Sequence, residues 1–446
     1  MNHISYNNEG SALFKSAGLY IHIPFCVKKC NYCDFLSFPA DDQVRGAYMD
    51  CLEKELDHVL SLMKSKGETI STVYIGGGTP SVLPAEWICR LPGRIQESGL
   101  VKAGGLAAAD GIEKVGGLAA ADEGHAEITI EVNPFTVDYE KLRAYAQAGI
   151  NRLSMGVQSF HDDELKLLGR IHSAADAIRT FELARKAGFD NISLDLMSGL
   201  PGQTPRKYQA SLEEAVRLAP EHISSYSLII EEGTPFYQTY GPDWSEQEEH
   251  EEQDRLMYEL TNYFLAEHGY HRYEISNYAK EGRESRHNSS YWTGTPYYGI
   301  GLGASSLIRT DRASAESLDI WRRTRNTGDM KSYLASGGQM SANGVSVSGS
   351  FCPLEEDMVL SLQNRMEEFM FLGLRMTEGV SEADFEERFG SSLMQVYGMQ
   401  VSELIEEGLM MRELTSFPAA SGIDYRLRLT ERGLDLSNYC FARFLM

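Results

Sequence analysis

Short apolar runs and amphipathic stretches alternate along the first half of the chain. The runs GLYIHI, TVYIGG, EITIEVNP, RLSMGVQSF, NISLDLMSG and HISSYSLIIE are brief and almost continuously apolar, and read as buried parallel strands. Between them lie YMDCLEKELDHVLSLMKS, YEKLRAYAQAG, AADAIRTFELARKAG and YQASLEEAVRLAP, whose apolar residues recur at helical spacing. Several of these close on glycine, a common helix C-terminal residue. Six strand–helix alternations predict an α/β fold whose parallel sheet curls into a barrel or most of one. In such sheets functional residues collect at the C-terminal ends of the strands.

Two stretches depart from this rhythm. Residues 101–124 contain GGLAAAD twice, at Gly104–Asp110 and Gly116–Asp122, with few large side chains to bury. They read as a flexible Gly/Ala-rich insertion between a helix and the strand EITIEVNP. Gly337–Ser350 is also rich in Gly and Ser and reads as an interdomain loop. Ser245 with Glu248 forms a capping-box pattern ahead of a helix running to about His268. These breaks divide the chain into an N-terminal extension (1–17), a barrel core (18–245), a barrel-completing region (246–350) and a smaller, mostly helical C-terminal domain (351–446).

Composition narrows the classes of partner. The net charge is −23, and acidic residues outnumber basic ones in the C-terminal segment as well, so a nucleic-acid partner is not expected. No run of about 18 apolar residues is present, so no membrane span is expected. The opening residues lack a basic region followed by an apolar one, and the seven cysteines are an odd number, mostly scattered. Both features suit a reducing, cytoplasmic setting.

The densest chemistry is in YIHIPFCVKKCNYCDF, where Cys26, Cys30 and Cys33 stand in a C-x3-C-x2-C spacing. Three thiolates on one loop can hold three corners of a cubic 4Fe–4S cluster. The next slot, two residues after Cys33, is Phe35, so one iron would stay open to an outside ligand. A zinc site is the alternative, but zinc favours paired C-x2-C knuckles, and Cys51, Cys89, Cys352 and Cys440 are isolated.

With Tyr32 just before the third cysteine, this loop resembles that of the radical SAM superfamily. The flanking YIHIPF and the later blocks resemble the HemN/HemW group, and within it the HemW-type heme chaperones. The resemblance implies a partial (β/α)6 TIM-like barrel with a winged-helix-like C-terminal domain. It also implies a cluster whose open iron binds S-adenosylmethionine (SAM) and whose electron cleaves it to methionine and a 5′-deoxyadenosyl radical. Gly76-Gly77-Gly78-Thr79-Pro80 looks like the family's GGGTP, which cradles the amino acid end of SAM; glycines admit close approach and are expected to leave backbone N–H groups exposed. Glu131, Gln158, Arg170 and Asp195 match SAM-contacting positions one by one, each expected at or just after a strand end, and Tyr20 matches the contact residue that precedes the cysteine loop. His287 opens an HN-x2-YW block similar to one typical of the heme chaperone branch, where its imidazole could ligate heme iron.

Two functions follow from the resemblance. One is a heme chaperone that passes heme to an acceptor apoprotein. The other is an oxygen-independent coproporphyrinogen III dehydrogenase, whose branch carries a fourth cysteine where this chain has Phe35. That substitution and the HN-x2-YW block favour the chaperone. If SAM is cleaved, an electron donor such as flavodoxin or ferredoxin is implied.

Anaerobic reconstitution should yield about four iron and four sulfide per chain, the content of one cubane. Cys26→Ala, Cys30→Ala and Cys33→Ala should each abolish this, whereas Cys89→Ala and Cys440→Ala should not. Stoichiometric zinc without sulfide in the isolated protein would contradict it.

Overall fold

The computed structural model describes residues 16–101, 125–244, 248–310, 320–343, 350–414 and 424–445. Most of the N-terminal extension, the twofold GGLAAAD repeat and the proposed cap Ser245 lie outside the described residues.

All six apolar runs form strands: β1 (Ser16–Ile23), β2 (Thr69–Gly77), β3 (Glu127–Val132), β4 (Arg152–Gln158), β5 (Ile192–Ser198) and β6 (His222–Ser227). They pair parallel, in chain order. The crossover helices Asp42–Lys66, Ala85–Glu97, Tyr139–Gln147, Ala174–Lys186 and Pro205–Leu218 lie between them in the chain. Local chemistry sets their ends. Asp41 accepts from the Val44 N–H, Ser173 and Asp176 form a capping box, and Gly67 closes the first helix at φ 66°. Leu52, Leu56, Leu91, Leu142, Phe181 and Leu212 on these helices are buried in one core with the strands.

The sheet continues past six strands. β7 (His271–Arg272) and β8 (Asn277–Ala279) add an antiparallel edge beyond β6. On the other side β9 (Tyr297–Ile300) pairs parallel with β1. β10 (Ser305–Thr310), β11 (Ile320–Asn326) and β12 (Leu354–Leu360) follow antiparallel. Among the described residues the result is an open sheet of twelve strands in the order β12-β11-β10-β9-β1-β2-β3-β4-β5-β6-β8-β7.

Two sequence-based boundaries shift. The large sheet runs to Leu360 rather than ending at 350, because Leu360 pairs with Trp321 and the two bury a small apolar cluster with Leu307. The Gly337–Ser350 segment is not all loop. Gly337 lies in the helix Met330–Asn343, where a Cβ would stand 2.8 Å from the Cys51 Sγ, so glycine lets this helix press on Asp42–Lys66. A second core starts at Met366. It packs the helices Leu362–Gly373, Glu382–Phe389 and Leu393–Glu406 against a small sheet of β13 (Val380–Ser381), β14 (Met410–Leu414) and β15 (Tyr425–Leu429). Among the described residues no helix is long and apolar enough to cross a membrane.

One buried carboxyl ties the first helix to the far end of the sheet. Glu55 is 2% exposed and accepts from the Gly301 N–H at 2.8 Å, the Asn326 amide at 2.8 Å and the Tyr333 hydroxyl at 2.5 Å. Its pKa is raised by burial, against the lowering effect of these donors. Glu55→Ala strands three buried donors and should cost roughly 3 kcal/mol of stability by urea unfolding. Glu55→Gln, which keeps one acceptor oxygen, should cost less. Equal stability of Glu55→Ala and the parent would remove this carboxyl from the fold's supports.

Candidate functional site

The cysteine loop leaves β1 and is closed at its neck. The Cys26 N–H donates to the Phe38 carbonyl at 3.2 Å and the Phe38 N–H to the Pro24 carbonyl at 2.9 Å. Asn31 pins its tip. Its N–H and side-chain amide donate to the carbonyls of Leu168 and Leu167 at 2.9 and 2.8 Å, and its own carbonyl accepts from the Phe236 N–H. Cys26 is buried, and Cys30 and Cys33 are half-buried. All three line one cavity of about 520 Å³. Among the described residues no group of three or more His, Cys, Asp or Glu side chains is placed to hold a single metal ion. Three thiols lining one cavity suit a cubane, in which each thiolate meets its own iron. Burial first, and then the neighbouring Cys30 and Cys26, raise the Cys33 pKa, so three thiolates here call for a cationic partner. Phe35 is 64% exposed on the rim.

The glycine turn at the end of β2 meets this loop at backbone range. A Cβ on Gly77, at φ 113°, would stand 2.5 Å from the His22 ring, and one on Gly78 would stand 2.7 Å from the Phe25 carbonyl oxygen. The expected free N–H groups are not free. Gly77 donates to the Glu131 Oε2 at 3.0 Å, Gly78 to the Ile23 carbonyl and Thr79 to the Phe25 carbonyl, both at 2.8 Å. The glycines thus admit the cysteine loop, and Thr79 carries its hydroxyl to 3.6 Å from the Cys26 Sγ.

Glu131, Gln158, Arg170 and Asp195 all line the same cavity as the cysteines, Gly77, Gly78, Thr79 and Tyr32. Glu131 accepts from the Tyr74 hydroxyl at 2.9 Å, and burial pushes its pKa up to about 7. Gln158 closes β4 at φ 71°, a conformation non-glycine residues rarely hold. Asp195 is mid-strand rather than at the end of β5, with Ser154 and Ser193 hydroxyls at 3.3–3.5 Å, and burial raises its pKa. Arg170 follows the short helix Asp162–Leu167 rather than a strand. Its guanidinium reaches the Cys30 Sγ at 3.7 Å and the Gly156 carbonyl at 2.5 Å.

Two expected residues sit elsewhere. Tyr20 lines a second cavity of about 480 Å³, which shares Phe35, Gly77 and Glu131 with the first. His287 lines neither. It is 1% exposed, with Nδ1 2.8 Å from the Thr72 hydroxyl and Nε2 2.9 Å from the Tyr291 hydroxyl. Both ring nitrogens are engaged, and burial followed by Arg152 lowers its pKa to about 3. It is a neutral strut, not an open iron ligand. The rest of its motif is better placed: Asn288 faces the first cavity and Tyr291 the second.

Sequence reasoning missed Asn31 and Arg152. Asn31 carries no local signal, because its partners lie far along the chain. Arg152 had one: in the strand RLSMGVQ, positions 152, 154, 156 and 158 share a face by the two-residue period, and all four line the cavity.

The chain matches the radical SAM superfamily over residues 20–219 and the HemN C-terminal domain over residues 360–417. It is 35% identical to the heme chaperone HemW of Bacillus subtilis over 426 residues, covering 96% of this chain and 98% of that protein. It is 39% identical to the heme chaperone HemW of Escherichia coli over 293 residues, 65% of this chain and 70% of that one. Its fold is similar to the coproporphyrinogen III oxidase HemN of Escherichia coli, with a TM-score of 0.70 at 21% identity over 98% of this chain and 92% of that one. The chain therefore belongs to the HemW family within the radical SAM superfamily.

Proposed function

We propose that the protein is a heme chaperone that carries a 4Fe–4S cluster and SAM, binds heme and transfers it to an acceptor apoprotein. Three thiols on one loop opening into a cavity, with an exposed phenyl ring in the fourth slot, is the observation that carries this reading. The likeness to HemN shows the fold alone, while relatives matched over nearly their whole length, that of Bacillus subtilis among them, are named heme chaperones.

Cys26, Cys30 and Cys33 would hold the cluster, and Arg170 beside Cys30 would offset its negative charge. Cluster and SAM supply one-electron cleavage chemistry when bound. Glu131, Gln158 and Asp195 would face the nucleoside part, carboxylates being good partners of ribose hydroxyls. Thr79 and the glycine turn would hold the loop in place at the methionine end. A donor such as flavodoxin or ferredoxin would supply the electron if SAM is cleaved, and the reducing cytosol suits the free thiols of an unloaded loop.

The test is a side-by-side assay on anaerobically purified protein. Heme should bind near one per chain and move to an apo-acceptor on mixing, with no decarboxylation of coproporphyrinogen III in the presence of SAM and reductant. Multiple-turnover formation of protoporphyrinogen IX would restore the enzyme.

A pH dependence also follows. Glu131 is neutral below its pKa of about 7 and ionised above it, and an ionised carboxylate is the stronger acceptor and attracts the sulfonium charge. SAM affinity measured by calorimetry should rise from pH 6 to pH 8, and Glu131→Gln should flatten that profile. A profile identical in both proteins would detach Glu131 from SAM.

A further inference from the structure

A shallow cleft lies on the outer side of the cysteine loop. Val27, Lys28, Cys30, Asn133, Arg170 and Ile171 line it. Three loops meet there: the cysteine loop after β1, the turn 133–136 after β3, and the segment that follows the helix Asp162–Leu167. Hydrogen bonds lock them together. The Thr136 N–H donates to the Asn133 carbonyl at 3.0 Å, the Thr136 hydroxyl meets that of Ser81 at 2.6 Å, and the Asn133 Oδ1 lies 3.1 Å from the His172 Nδ1.

This fixed floor carries an apolar rim. Val27 and Ile171 are exposed, and Phe135, set between two residues of the cleft, is 67% exposed at φ 80°. Bulky residues rarely hold that backbone. Single exposed apolar side chains are ordinary, but here three loops bring three of them to one place beside a cysteine of the cluster loop.

The charge of the cleft runs against that of the chain. The protein carries −23, yet Lys28 and Arg170 line the cleft and, among the described residues, no acid does. The exposed Lys29 adjoins Lys28, and the loop's one acid, Asp34, lines the inner cavity instead. An acidic protein is repelled by most of such a surface and drawn to this part of it, where apolar contact completes the hold. What it gains there is nearness to Cys30, whose Sγ is 3.7 Å from the Arg170 guanidinium. Electron transfer weakens steeply with distance, so a redox partner benefits from that nearness more than any other.

We propose that this outer cleft is the docking face of a small acidic one-electron carrier of the flavodoxin kind, which reduces the cluster across Cys30. This rests on the reading of Cys26, Cys30 and Cys33 as cluster ligands. The carrier's anionic flavin hydroquinone loses one electron and becomes the neutral semiquinone. The cluster gains that electron, and no bond is made or broken.

The experiment uses the full-length, anaerobically reconstituted protein, with reduced flavodoxin as the probe and dithionite as a small reductant that needs no docking face. Phe135→Asp keeps a side chain that tolerates positive φ and places an acid on the rim. It should weaken flavodoxin binding by calorimetry, and slow flavodoxin-driven bleaching of the cluster, by about tenfold or more. Reduction by dithionite and affinity for SAM should match the parent. The parent's rate with flavodoxin should fall as salt is added, and Lys28→Gln should flatten that fall. Unchanged binding and rate in Phe135→Asp overturn the proposal. So do equal losses with both reductants, which would place the effect on the cluster rather than on the carrier. Slower heme transfer to an apo-acceptor with flavodoxin reduction unchanged would give the face to the acceptor and overturn it as well. Should Phe135→Asp fail to fold, the parent's salt dependence and Lys28→Gln decide, and a rate indifferent to salt contradicts docking here. A protein that holds no cluster would defeat the reading of the cysteines, while calorimetry with flavodoxin would still test the face.

Discussion

Everything at this site depends on how closely the ends of β1 and β2 approach each other. Their parallel ladder does not stop with the strands. It runs on through Gly78 to Ile23 and Thr79 to Phe25, carrying backbone pairing into the first residues of the cysteine loop. Such pairing is possible only because Gly77 and Gly78 present no Cβ to His22 and Phe25. The cysteines therefore hang from the sheet itself, and their loop is clamped again at Asn31 by residues that follow β4. A loop held at both neck and tip has its three thiols fixed on the cavity, which is the preorganisation a labile cofactor needs.

The legible part of the molecule was its period and its punctuation. Six apolar runs became six parallel strands because fully buried strands need no polar face, and crossover helices such as Asp42–Lys66 and Ala174–Lys186 began where capping residues stood. Gly77, Gly78, Thr79, Glu131, Gln158, Arg170 and Asp195 could be picked out because the motifs that carry them are local, whereas Arg152, on the same cavity, was passed over. What could not be read depended on three-dimensional neighbours. Gly337 looks like loop chemistry but serves a helix–helix contact with Cys51. Leu360 looks like the start of a second domain but is drawn into the large sheet by Trp321. His287 looks like a ligand, yet Thr72 and Tyr291 take up its nitrogens; a motif names the residues but not the direction in which they point.

The two cavities share a thin wall of Phe35, Gly77 and Glu131. Whatever occupies one is a neighbour of whatever occupies the other. Glu131 is the polar part of this wall, and Phe35 the apolar part that stands where another family branch has sulfur. A phenyl ring cannot bind iron, and here it presents an exposed apolar surface instead.

Gln158 bears a different kind of consequence. It ends β4 with a left-handed backbone next to a register shift in the β4–β5 ladder. A non-glycine residue there costs on the order of 1–3 kcal/mol that glycine would not. A lineage under pressure for thermal robustness alone would drift to glycine at this position. An amide side chain over the cavity costs the sheet that much stability while its site stays intact, so hardiness and function pull against each other at a single residue.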